Sequence, residues 1–399
     1  MRLSRGVLLA IVWLVALNLR TGFIGLGPVL PQLREDLLLS GTMAALLVSI
    51  PTLMMGLVAV PTGELADRWG PTRMILIGLS AVAIGGALRA LAPGTTALLG
   101  ATVLFGIGIG TTQPSLPRMA RGLYPERLGF ATGVYASGMI TGSILAASLT
   151  VPVEQRIAPN AGWRGPLLFW GMLAMATVVV WLVTVRPWAW SGKALDERAA
   201  VVGIASQWRP SRDRRVWLVA ALFGTQGLAY YLLVAWLPAM YGAFGVNPGR
   251  TGALFTVFNA ATLPAILLFP IISDRLQSRM WPNVVASVMF IIGSLGLLFA
   301  PLAPGLEWLW PVLCASGVSG LFAMTLVMPA DVAPLGRVGA AAGMTLGIGY
   351  FASAMGPLIA GAVFDVTGSF HTALLVLPVA GAAMLALSIA CPDKFRASR

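Results

Sequence analysis

The chain has 399 residues, of which 58% are hydrophobic and only 10% charged, with a mean hydropathy of +0.86. A soluble domain carries about 25% charged residues, so this composition excludes a sizeable soluble domain and points to a lipid bilayer. The net charge of +12 does not mark a nucleic-acid binder, because the basic residues lie at the ends of apolar stretches and in the loops between them, where they set topology.

Apolar windows of about 20 residues, long enough to cross a bilayer, recur about twelve times along the chain. In the first half their cores are 7–33, 43–65, 73–91, 97–119, 128–151 and 167–185. In the second they are 216–240, 251–273, 283–300, 306–329, 338–363 and 372–390. The expected organisation is a six-helix bundle over 1–186, a cytoplasmic linker over 187–215, and a second six-helix bundle with a short cytoplasmic tail over 216–399. The first apolar stretch is too long for a cleaved signal peptide and reads as a retained helix. With the amino terminus inside, the inner face receives the basic residues of both termini, the linker and most loops. The other face receives only Arg34, Arg89, Arg156, Arg164 and Arg250. That asymmetry predicts a multi-pass membrane protein with both termini cytoplasmic.

Arg20 falls near the middle of the first predicted span. An arginine at the centre of a membrane helix costs roughly 2.5 to 3.5 kcal/mol on insertion scales, and such residues usually face a cavity or a partner. No other predicted span holds an Asp or Glu in its interior, so the expectation is an unpaired guanidinium awaiting an exchangeable anion. Its alternative is a guanidinium satisfied by backbone carbonyls at a helix break beside Gly22, Gly25 and Gly27. Gln113 in the fourth span, just before Pro114, offers a carbonyl and an amide where proline frees backbone groups. Tyr230 in the seventh span offers a hydroxyl. Asn18, Gln226, Asn259 and Tyr350 are weaker candidates, each polar within a span and by default hydrogen-bonded between helices. Paired small residues, such as Gly106 with Gly110 and Gly138 with Gly142, predict close helix packing. His371, Trp308 and Trp310 read as interface anchors. Cys314 and Cys391 imply no disulfide framework.

The two halves repeat each other. Asp67-Arg68 after the second span recurs as Asp274-Arg275 after the eighth. Arg127-x-Gly129-x-Ala131-x-Gly133 recurs as Arg337-x-Gly339-x-Ala341-x-Gly343, and Pro117 and Pro329 close the preceding helices in similar places. Repeats that keep spacing and orientation predict parallel six-helix halves with a substrate site between them.

The segment Gly63-Glu64-Leu65-Ala66-Asp67-Arg68-Trp69-Gly70-Pro71-Thr72-Arg73 resembles the loop signature of the major facilitator superfamily, with Pro71 and Thr72 where that family usually continues with basic residues. Ser273-Asp274-Arg275-Leu276-Gln277-Ser278-Arg279 is similar to its degenerate second copy. The resemblance implies an all-α membrane protein with twelve transmembrane helices in two parallel pseudo-repeats, the first, fourth, seventh and tenth lining a central cavity. It further implies a latch (Gly63, Asp67, Arg68, Gly70, Arg73, Asp274 and Arg275) that favours the outward-open state. Asn18-Leu19-Arg20 with Gly27-Pro28-Val29-Leu30-Pro31-Gln32-Leu33-Arg34 resembles the first helix of bacterial cyanate and 2-nitroimidazole transporters. So do Gly106-x-Gly108-x-Gly110-Thr111-Thr112-Gln113-Pro114, and Tyr230 before Ala235-Trp236-Leu237-Pro238.

Phosphate-binding loops, metal-spaced Cys/His clusters and activated nucleophiles are missing from the sequence, which disfavours an ATP-driven pump or a membrane enzyme. The expected activity is secondary active transport of a small, cyanate-like anion or polar molecule by alternating access. An exporter of small nitroaromatic or drug-like compounds is the alternative, favoured if aromatics rather than Arg20 dominate the cavity. A receptor without flux has no support, since there is no signalling domain. The expected partners are the substrate and the bilayer, with no cofactor, no nucleic acid and a monomeric state.

Overall fold

The computed structural model describes residues 4–124, 128–185, 209–299, 301–334, 338–391 and 393, and among them there are helices and turns but no strand. Most of the 187–215 linker therefore lies outside the described residues. The first half holds α1 (Arg5–Ile24), α2 (Leu26–Asp36), α3 (Gly41–Trp69), α4 (Pro71–Leu91), α5 (Thr95–Thr112), α6 (Ser115–Leu123), α7 (Leu128–Pro152) and α8 (Arg164–Thr184). The second holds α9 (Arg214–Ala243), α10 (Pro248–Leu276), α11 (Met280–Phe299), α12 (Leu309–Val332), α13 (Val338–Thr367), α14 (Phe370–Leu374) and α15 (Val376–Ala390). Together they give 12 helical spans long and apolar enough to cross a membrane.

Three spans are broken, each for a local reason. The first parts at Gly25, three residues before Pro28, which cannot donate to the carbonyl of Ile24. The fourth parts at Gln113 and Pro114, and the last at Leu375. Conversely, α3 and α4 follow each other with only Gly70 between them. Its φ of 81° is open to glycine at no steric cost, and Pro71 then starts the next helix. The carboxyl end of α10 is closed by Gln277 in the left-handed region, at φ 49° and ψ 45°.

Contacts gather the chain into two units: Met1–Leu33 with Leu53–Ala205, and Arg34–Thr52 with Ser206–Arg399. In the first, α1 packs on α7 and α8, and α4 on α5 and α8. In the second, α9 packs on α13 and α12, α10 on α12, and α11 on α12 and α15. The pairs α1–α7 and α4–α8 thus recur in the same order as α9–α13 and α11–α15, which is the sequence repeat expressed as packing.

The seams of these pairs are built from glycine and tryptophan. On α7 a Cβ at Gly138 would lie 2.5 Å from the carbonyl oxygen of Trp13 on α1, and one at Gly142 would run into the backbone of Leu17. On α13 a Cβ at Gly356 would strike the Leu228 carbonyl of α9. Each seam also carries an indole donor: Trp13 Nε1–H to Ser137 Oγ at 3.2 Å, and Trp236 Nε1–H to the Pro357 carbonyl at 3.1 Å. Close backbone approach is the means by which membrane helices gain contact without a hydrophobic driving force between them.

The segment 34–52 joins the second unit through α13. The Asp365 carboxylate accepts from the backbone N–H groups of Gly41 and Thr42 (the latter at 2.8 Å) and from the Thr42 hydroxyl at 2.7 Å. These groups open α3, so the acid caps a helix start and meets its positive end. The Arg34 guanidinium lies 4.4 Å from the centre of the Phe364 ring. A Cβ at Gly361 would sit 2.6 Å from the Gly41 carbonyl.

Filling a seam should cost far more than filling open helix surface. Gly142→Val is expected to destabilise the protein by about 3 kcal/mol, because a backbone carbonyl cannot move aside as a side chain can. Gly133 is exposed, and nothing lies within 4 Å of a Cβ built there. Gly133→Ala should therefore be neutral or stabilise by about 0.5 kcal/mol. Thermal unfolding in detergent checks both signs.

Candidate substrate site

In the first unit, Arg20 lies on α1 four residues before its end and is half-buried. It has an interaction with a neighbour and is not free. Asn18 is fully buried. Its Nδ2 donates to the Leu14 carbonyl and to Thr177 Oγ1 on α8, both at 2.9 Å, so its amide ties helices together, while Oδ1 has no partner. Gln113 is half-buried at the break between α5 and α6. Its backbone N–H still donates to the Ile109 carbonyl, and the residue has a further interaction.

In the second unit, Tyr230 is half-buried on α9. Its ring stacks on Phe258 of α10 at 6.0 Å and meets Tyr231 edge-on at 5.2 Å. Tyr231 itself is buried. Gln226 and Asn259 are also buried, and Asn259 Nδ2 bonds back to the Phe255 carbonyl of its own helix at 2.9 Å. Tyr350 on α13 is buried edge-on to Phe223 at 5.4 Å. The seven candidates thus fall into two sets. Arg20, Gln113 and Tyr230 keep partly open surfaces, whereas Asn18, Gln226, Asn259 and Tyr350 are packed inside their units.

The latch residues divide similarly. Gly63 lies within helical backbone, and the side chains of Asp67 and Arg68 lie outside the described residues. Gly70 makes the tight turn described above, and Arg73 is exposed but engaged. In the second copy Arg275 is exposed, and the central cation is Arg279, only 6% exposed. Its Nη1 meets Asp274 at 2.7 Å, its Nε meets Asp331 of α12 at 2.9 Å, and Nη1 also donates to Ser273 Oγ at 2.8 Å. Asp393 adds a further clamp: it accepts from Ser278 Oγ at 2.6 Å and from the Arg279 backbone N–H at 3.1 Å. Burial alone would pull the Arg279 guanidinium down, but its hydrogen bonds to Asp331 and Asp274 outweigh this and hold it above its ordinary value.

Two further charges within spans are buried. Arg89, assigned to the outer face, is fully buried in the first unit. Glu307, at the very start of the tenth span, is buried against Arg250, and the Tyr241 hydroxyl donates to its backbone carbonyl at 3.4 Å. Among the described residues no group of His, Cys, Asp and Glu could hold a metal ion.

The profile of the Major Facilitator Superfamily matches residues 12–357. The cyanate transport protein CynX of Escherichia coli (strain K12) is 27% identical over 365 residues, 91% of this chain and 91% of that protein. The 2-nitroimidazole transporter of the same strain is 27% identical over 388 residues, covering 97% and 94%. A probable nitrate/nitrite transporter, NarK2 of Mycobacterium tuberculosis, is 28% identical over 382 residues, covering 90% and 89%. Among solved structures, the inward-open xylose transporter XylE of E. coli aligns with a TM-score of 0.77 at 15% identity, over 98% of this chain and 97% of that one.

The Arg279 cluster gives a sharp contrast between neighbours. Arg279→Ala removes the ion pair to the buried Asp331 carboxylate, and is expected to destabilise by about 3 kcal/mol. Exposed Arg275→Ala should stay within about 0.5 kcal/mol of the parent. Paired thermal melts of the two purified variants test this.

Proposed function

Because the chain belongs to the major facilitator superfamily, we propose that it carries a small anion, or a polar molecule of similar size, across the bacterial inner membrane by alternating access. Arg20 is the anchor, and both termini face the cytoplasm. The observation that carries this reading is a fixed cation, half-buried in the first span, in a chain whose relatives are named for cyanate, 2-nitroimidazole and nitrate or nitrite. Those molecules share oxygen acceptors on a small delocalised frame. A guanidinium matches such a frame with parallel N–H donors and never loses its charge. At about 4 Å and an effective dielectric near 20, the attraction to a monovalent anion is on the order of 4 kcal/mol, enough to offset the insertion cost of the arginine.

Binding an anion does not by itself drive uptake. Against a negative-inside potential, each charge costs about 2.3 kcal/mol per 100 mV. We favour exchange, in which an anion leaves as another enters and Arg20 trades one partner for the next. Export of nitroaromatic compounds is the second reading, favoured by the half-buried Tyr230 ring stacked on Phe258, a surface suited to a flat ligand.

Arg20→Ala should weaken cyanate binding about 100-fold, and Arg20→Lys less, because a point charge keeps attraction but loses the fork geometry. A thermal-shift titration with cyanate and nitrate measures this through ligand-linked stabilisation. Parent-like stabilisation of Arg20→Ala by either anion would sink the anchor assignment. In proteoliposomes, concentrative uptake of labelled anion with no internal anion and no imposed gradient would remove the exchange scheme.

A further inference from the structure

Arg89 sits two residues from the carboxyl end of α4, yet only 1% of it is exposed. Its Nη1–H donates to the backbone carbonyl of Gly22 on α1 at 3.0 Å. Its guanidinium also lies 4.8 Å from the centre of the Phe105 ring on α5. Among the described residues no carboxylate pairs with it. A buried cation is a costly choice for a plain packing position, so its target is informative.

That target is a weak point of the first span. The helix stops at Ile24, and Pro28 leaves the Ile24 carbonyl without its helical donor. Gly22 has no side chain to brace the turn, and a Cβ there would meet the Phe105 ring at 2.9 Å. Asn18 and Gly22 are four residues apart and share one face of α1. Asn18 is held from α8 through Thr177, and Gly22 is held from α4 through Arg89. Arg20 lies midway between them and is turned away from that face, with part of its surface open.

We infer that Arg89 is a positioning residue for Arg20. Together with the Asn18–Thr177 hydrogen bond, it holds the back of the 18–22 turn and so fixes where the guanidinium on the front is presented. The charge on Arg89 strengthens its bond to the Gly22 carbonyl beyond what a neutral donor gives. Arg89 and Asn18 also line one small cavity with Gly22, Phe105 and Trp170. Arg89 Nε is a buried donor and Asn18 Oδ1 a buried acceptor, each without a protein partner. The inference rests on the reading of Arg20 as the anion anchor.

The test uses the full chain in proteoliposomes with labelled cyanate and nitrate as probes, and amide hydrogen exchange over 14–28. Arg89→Met should raise KM about tenfold while the maximal rate stays within about twofold, the split expected when binding geometry alone is disturbed. Exchange around Gly22–Leu26 should quicken about tenfold, reporting local opening. Arg89→Lys should recover most of both, and Arg89→Gln, which keeps a neutral donor, stands in if Arg89→Met fails to fold. In an Arg20→Ala background, Arg89→Met should raise KM no further. Unchanged exchange with unchanged KM overturns the inference, as does an Arg89 effect that persists at full size without Arg20. If neither probe binds, or Arg20→Ala matches the parent, the anchor reading fails instead, and exchange alone then judges Arg89.

Discussion

Lipid offers a backbone nothing to bond with, so each N–H and C=O in a span must find its partner inside the protein. Many core hydroxyls follow the same rule here. Thr52, Thr102, Thr112, Thr150, Thr177, Thr256 and Ser353 all turn back to donate to the carbonyl one turn earlier on their own helix. Most hydroxyls in the core are thereby spoken for, which makes the residues that reach across to another helix stand out. Asn18 reaching α8, Arg89 reaching α1 and Arg279 reaching α12 are such cases. The chain spends its few strong polar contacts where spans break or turn.

Span number, span limits and the doubled architecture were legible because hydropathy reports burial in lipid directly, and because Asp67-Arg68 and Asp274-Arg275 share one spacing. The breaks in the first and fourth spans were signalled by Gly25 with Pro28 and by Pro114. What could not be read was which basic residue of a cluster turns inward. Arg275 and Arg279 look alike in sequence, yet the left-handed turn at Gln277 sends the chain back so that Arg279 sits among three acids while Arg275 remains outside. The burial of Arg89 is hidden in a similar way. Gly86 and Gly171 let α4 and α8 approach so closely that a Cβ on Gly86 would be 3.2 Å from the Gly171 Cα. Its own neighbours, the Gly22 carbonyl and the Phe105 ring, come from other helices.

The candidate site residues were nameable as polar intrusions into apolar spans. Their division between open and packed positions was not, because periodicity gives a face but not what covers it. Asn259 illustrates this: it is polar, central to its span and fully enclosed, with its amide turned to its own helix. Family membership narrows the activity to transport and leaves the cargo to be argued from chemistry. On that argument Arg20 matters through geometry as much as charge, which is why the backbone around it bears on function.

Asp393 lies beyond the last helix, yet it receives the first amides of α11 and the Ser278 hydroxyl. This residue is therefore an integral strut. Truncations ending before it would strip α11 of its cap, so purification handles and fluorescent reporters belong downstream of 393 or at the opposite end.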